Sequence, residues 1–238
     1  MYLAINTATR QYSLALLDKQ GSVWSEFTVR PVEKNFSRLM VGFDHMLSPL
    51  DIDLKALKAV VVVQGPGSYT GLRVGMAMAK AICQGLHVPI IGVSSLDAMA
   101  HQLPHVSIPI CAILESRKGE VFAAVYKWKM PEGLVPLTGE KTVGIAELSD
   151  LIEEPTLIIG NDYPSQAPHI SRKIAREAIL VPPSLWCLRA SSAGMLGLKR
   201  HENGQEDNLR DLTPSYFRPP DIRPNPYPLH KSESSRRP

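Results

Sequence analysis

The chain has 238 residues, 44% apolar and 21% charged, an ordinary globular composition with enough apolar content for a real core. No stretch approaches the roughly 18 apolar residues of a membrane span, and the start, "MYLAINTA", has no secretory-signal pattern. Cys83, Cys111 and Cys187 are odd in number, far apart and never in Cys-x-x-Cys, which argues for reduced thiols in a cytoplasm and against zinc or a disulfide framework.

Residues 2–17, "YLAINTATRQYSLALL", read as two strands joined by a polar turn, and "GSVWSEFTV" extends them to a three-strand meander. Over 33–48 the spacing turns helical, with Phe36, Leu39, Met40, Phe43 and Leu47 on one stripe. Val41 and Met46 lie off it. "KAVVVV" (58–63) is a continuous apolar run, as in a strand buried on both faces. A helix over about 70–86 follows, then the strand "VPIIGVSS" and a short helix over 96–103. The second half opens on "IPICAILESRKGEVFAAVYKW" (108–128), a strand, turn and returning strand. It matches the start of the chain at an offset of about 108, which suggests a duplicated unit. "TLIIGND" (156–162) reads as a buried strand and 191–204 as a helix with serine at one end and glycine at the other. Two α/β lobes with mixed sheets are expected, spanning 1–105 and 106–221, with the last helix free to return to the first lobe. Residues 214–238 hold five Arg/Lys, two acidic residues and seven prolines. The whole net charge of +3 therefore sits there, and the neutral body gives no electrostatic case for a nucleic-acid groove. Residues 222–238 read as a disordered basic tail, solvated or in weak contact with RNA.

"QGPGSYTGLR" (64–73) joins the valine strand to the helix. Gly65, Gly67 and Gly71 do not make Gly-x-Gly-x-x-Gly, and no Gly-Lys-Ser/Thr follows, so neither common phosphate loop is present. Helix-start amides could still take an anion. The plainer reading is a tight turn capped by Ser68 or Thr70. Gly71, Gly75, Ala79 and Cys83 then form a row of small residues at i+4, beside an apolar row of Val74, Met78, Ile82 and Leu86. Glycine in a helix costs about 1 kcal/mol relative to alanine, so a close neighbour is required. Partner interface and internal core explain the surplus apolar faces of both helices equally well.

"GPGSYTGLRVGMAMAKAI" with "VPIIGVSSLDAMA", and also "YLAINTATRQYSLALL", "LESRKGEVFAAVY" and "LTPSYFRPPD", resemble the TsaB (YeaZ) family, older M22 glycoprotease homologues, over most of 1–221. The resemblance implies the actin-like ATPase (ASKHA) superfold, α/β, of two RNase H-like lobes with mixed sheets flanked by helices. It implies a non-catalytic, cytoplasmic subunit that pairs with the catalytic paralogue TsaD and, through the complex, with the ATPase TsaE. That complex adds threonylcarbamoyl to N6 of the adenosine 3′ of the anticodon, in tRNAs reading codons that begin with A. ATP and Mg²⁺ belong to the wider complex, the chain meets tRNA indirectly, no membrane is involved, and self-pairing when alone is allowed. Pairing would run through Phe36, Leu39, Met40, Phe43, Gly71, Arg73, Val74, Gly75, Met78, Ala79 and Ile82, so the glycines would serve helix contact. Asn6, Thr7, Gly65, Gly67 and Ser68 would be a vestigial nucleotide or anion loop. The sequence departs from the family's pattern at Asn6, where an aspartate is common, at Phe36-Ser37, where His-Ser is common, and at Glu115 in place of aspartate. Asparagine offers no charge to a divalent cation. His101 and His105 are i, i+4, but Pro104 between them breaks a helix, so no metal site is expected. A peptidase has no nucleophile or metal to rest on. The other reading is a nucleotide-dependent phosphotransferase of the same superfold.

Overall fold

The computed structural model describes residues 1–31, 36, 38–117, 119–173 and 177–217. Residues 33–35 and 37 of the expected first helix, and the expected tail 222–238, lie outside the described residues. In chain order the strands and α-helices are β1 (Tyr2–Asn6), β2 (Tyr12–Leu17), β3 (Val23–Val29), α1 (Leu39–Leu47), β4 (Ala59–Gly65), α2 (Tyr69–Leu86), β5 (Ile90–Ser94) and α3 (Ser95–Ala100). The second half continues with β6 (Ile110–Glu115), β7 (Glu120–Lys129), β8 (Gly133–Pro136), β9 (Lys141–Gly144), β10 (Thr156–Ile159), α4 (Tyr163–Lys173), β11 (Ala178–Leu180) and α5 (Ala190–Glu202).

Two sheets share one plan. The first runs β3-β2-β1-β4-β5 and the second β8-β7-β6-β10-β11, with β9 also on β7. In each, a hairpin is antiparallel and the two later strands run parallel to its first strand. Ala4 faces Ala15 in one hairpin and Ala112 faces Ala124 in the other, so the duplication is real in register as well as in order. This is the doubled RNase H-like arrangement of the actin-like ATPase superfold.

Side-chain alternation sets the layers. Leu3, Ile5, Val60 and Val62 point to the outer face of the first sheet, under Leu39, Phe43 and Met46 of α1 and Met76, Ala79 and Cys83 of α2. Ala4, Leu17, Val61 and Val63 point inward, into a core shared with α3, α5 and the second sheet. The valine run is therefore buried on both faces. Helix α5 lies close on the first sheet because Gly194 and Gly197 have no Cβ to meet Leu17 and Val61. Helix α4 was hidden by Pro168 in its interior. Proline there removes a backbone donor and crowds the preceding turn, which is why the pattern carries no helix signal.

Candidate functional site

The glycine loop folds over the turn between β1 and β2. Ser68 caps α2 by accepting from Gly71 N at 3.2 Å, and its own N–H goes to Ala8 O at 2.7 Å. Gly65 has φ +131, and a Cβ there would strike Ser215 O. Asn6, Thr7, Gly65, Gly67 and Ser68 do come together, but the chain itself fills the space between them. Fully buried Asn6 donates Nδ2 to Leu188 O at 2.7 Å and accepts from Ala8 N at 3.0 Å. Thr7 Oγ1 donates to Gly71 O at 2.7 Å, and a Cβ on Gly67 would run into Ala8. The polar side chains of Asn6 and Thr7 and the Ser68 amide thus face partners from the same chain.

The gap between the lobes is bridged at the same end. Arg10 meets Glu115 at 3.0 Å and Arg30 meets Asp162 at 3.4 Å, each pair crossing from the first sheet's side to the second's. Glu115 N donates to Asn161 Oδ1 at 2.9 Å. Beside these contacts a cavity of about 460 Å³ lies between Gln11, Thr28 and Arg30 on one side and Tyr163, Trp186 and Cys187 on the other.

The helix faces need a larger correction. Gly71 and Gly75 hold the turn of the first hairpin: an added Cβ would hit Thr7 O from Gly71 and Thr7 Oγ1 from Gly75, and from Gly71 it would also come within 2.9 Å of Phe36 Cζ. Ala79 and Cys83 continue this row into the outer core. Leu39, Phe43 and Met78 are buried there too. These residues serve the lobe's own packing and offer no surface. What α1 and α2 present outward includes Met40 and Val41, 58% and 64% exposed, with Val74 and Ile82 half-buried; Phe36, expected in the first helix, lies before α1 begins at Leu39 and is half-buried. Arg73 is exposed but engaged. Its guanidinium lies 4.1 Å from the Tyr69 ring centre and donates Nε to Tyr216 Oη at 3.0 Å.

His101 and His105 each pack against Trp128, at ring distances of 5.6 and 4.8 Å. Burial, then Lys199 and His105, lowers the His101 pKa. One polar cluster between the lobes carried no sequence signal. Burial pushes Asp97 up, opposed by a hydrogen bond from Tyr126, and burial pushes Glu140 up, opposed by the Ser94 hydroxyl. The residues come from α3, β7 and the loop between β8 and β9, and no spacing in the chain connects them.

The model of the TsaD family, described as tRNA N6-adenosine threonylcarbamoyltransferase, matches residues 31–186. The tRNA threonylcarbamoyladenosine biosynthesis protein TsaB of Bacillus subtilis is 29% identical over 222 residues, covering 91% of this chain and 93% of its own. YeaZ from Pseudomonas aeruginosa superposes with a TM-score of 0.76 at 19% identity, covering 91% of this chain and 99% of that one. The activator of 2-hydroxyisocaproyl-CoA dehydratase from Clostridium difficile, solved with ADPNP bound, superposes at 0.52 and 11% identity, covering 86% and 96%. Among the described residues no helix is long and apolar enough to cross a membrane.

Proposed function

This chain belongs to the TsaB (YeaZ) family of tRNA threonylcarbamoyladenosine biosynthesis proteins, and from that membership we propose that it is the non-catalytic subunit of the threonylcarbamoyl-transferring complex. It pairs with the catalytic paralogue TsaD, reaches TsaE through the complex, and brings no nucleotide chemistry of its own. The observation that carries this reading is the filled loop: Asn6, Thr7 and Ser68 spend their polar groups on Leu188, Gly71 and Ala8. Breaking one of these bonds to hold a ligand would leave a buried polar atom unsatisfied, at a cost of about 1–3 kcal/mol.

Pairing would use the outward face of α1 and α2, centred on Met40 and Val41. Apolar side chains left this open fit the buried centre of a protein interface. The same face would serve self-pairing when the chain is alone.

The test is reconstitution. The purified chain with ATP–Mg²⁺ alone is expected to show no turnover, and with the catalytic paralogue and TsaE it is expected to restore threonylcarbamoylation of tRNA. Val41→Glu should keep the melting temperature, lose co-purification with the paralogue, and abolish that restoration. An ATPase rate of the chain alone that vanishes in Asn6→Ala would overturn the non-catalytic reading in favour of a phosphotransferase. Full assembly by Val41→Glu would remove α1 from the pairing face.

A further inference from the structure

Four side chains fasten the start of α3 to the second sheet. Ser94 caps the helix, accepting from Leu96 N at 3.1 Å and Asp97 N at 3.3 Å, and its hydroxyl donates to Glu140 Oε1 in the loop between β8 and β9. Tyr126 of β7 donates its hydroxyl to Asp97. The loop is anchored on β7 as well: Leu137 N donates to Val125 O at 2.7 Å, and Thr138 Oγ1 accepts from Val125 N at 3.0 Å. Beside Ser94, Ser95 Oγ donates to Pro66 O at 2.5 Å, so the same turn also holds the glycine loop.

Asp97, Tyr126, Thr138 and Glu140 line one cavity of about 400 Å³, and among the described residues no lysine, arginine or histidine lines it. Neither carboxyl is in an ion pair among those residues, whereas Glu115 and Asp162 at the cleft each meet an arginine. The other titratable neighbours supply no counter-charge. Cys111 of β6 lies near Tyr126, its thiol pushed up to about 12 by burial. His101, one turn further along α3, stands beside Lys199 of α5 and His105. Burial raises the pKa of both carboxyls against the bonds from Tyr126 and Ser94, and at Glu140 the charge of Asp97 raises it further. Two carboxyls that share a site without a cation resist ionising together, so the pair keeps a proton to higher pH than either would alone.

We propose that Asp97 and Glu140 form a proton-operated latch between the two lobes. With a proton on the pair, one negative charge at most occupies the cavity and Glu140 stays on Ser94. When that proton leaves for solvent, two carboxylates face each other without a counter-cation, and the loop 137–140 lifts from the start of α3 so that Glu140 reaches water. The direction follows from the folded chain holding these protons to higher pH than the unfolded chain does. The latch contributes fully below the ordinary carboxyl range, at about pH 4, and its contribution is lost as pH rises through the raised folded values.

The experiment follows melting temperature and amide hydrogen exchange of the full chain from about pH 4 to about pH 8. Glu140→Gln keeps an acceptor for Ser94 and removes the charge. It should melt with the wild type at the acidic end and about 2–4 °C above it at the alkaline end. Asp97→Asn, which still accepts from Tyr126, should do the same. The double variant should gain less than the two single gains added together, because either change relieves the same repulsion. The Leu137 and Thr138 amides, both bonded to Val125 O, should lose protection with rising pH in the wild type and keep it in Glu140→Gln. Glu153→Gln, an exposed carboxylate elsewhere, should alter none of these. Equal melting of wild type and Glu140→Gln at every pH, fully additive single variants, or the same loss of protection in both chains would each overturn the latch. So would a Glu140→Gln chain less stable than the wild type at the alkaline end, since that charge would then be stabilising. None of these results depends on pairing with the catalytic paralogue.

Discussion

The two hairpins began alike and are used differently. In the first, the turn after β1 is sealed: Thr7, Ala8 and Thr9 are buried, with Thr7 lodged against Gly71 and Gly75 of α2. In the second, Arg117 and Gly119 of the turn after β6 are exposed. This turn is closed by Glu120 N to Arg117 O at 2.9 Å and by the Arg117–Glu120 ion pair at 2.8 Å. The strand plan is the same, so the difference comes from the helix that follows the first parallel strand. Helix α2 carries glycines where the turn presses in. Helix α4 starts from Tyr163-Pro164, and the second turn's strand is held instead by Asn161. A duplicated fold keeps its sheet order while one helix decides whether a turn becomes an open loop or a plug.

Three substitutions can break or sharpen that contrast. The largest effect is expected from Gly75→Leu. Its side chain enters the space of Thr7, and overpacking of this kind costs about 3 kcal/mol, or roughly 6–12 °C in melting temperature for a chain of this size. A mutant with unchanged melting temperature that merely fails to pair would return Gly75 to the partner surface and undo the contrast. Gly119→Ala tests the other turn. Gly119 sits at φ +81 with nothing within 4 Å of an added Cβ, so only backbone strain is incurred, about 1 kcal/mol. A loss as large as that of Gly75→Leu would mean that the second turn is packed after all. The smallest effect belongs to Arg10→Gln, which removes the ion pair joining the first turn to the end of β6. Both side chains are partly exposed, so the loss should stay below about 1 kcal/mol and shrink further in high salt. Chemical denaturation at two salt concentrations measures it.

Much of this was legible in the chain. The valine run gave β4, the 3.6-residue period gave α2, and the offset of about 108 residues between the "AI" pairs gave the doubled plan. The small residues of α2 correctly announced a close neighbour. They could not say which one, because periodicity reports that a face is covered and never by what. The neighbour is Thr7, more than 60 residues earlier, in a turn whose own sequence looks polar and exposed. Asn6 was singled out for what its side chain lacks, and the structure adds what it does: it ties the first strand to Leu188 near the end of the chain. Asp97, Tyr126 and Glu140 had no signal at all, since three elements meet there only once both lobes are in place.

The position of α5 has a consequence in time. Leu17, Ala4 and Val61 on the inner face of the first sheet are covered by Gly194, Gly197 and their neighbours. A ribosome therefore completes β1 to β5 long before the helix that covers their inner face exists. The first lobe cannot close as an independent unit during synthesis, and its hydrophobic sheet must wait for about a hundred more residues. Contacts of such long sequence separation form slowly, and exposed sheet surface is prone to aggregate meanwhile. Expression of residues 1–105 alone would give an insoluble fragment, and an early stop anywhere before residue 190 would leave the same sheet uncovered.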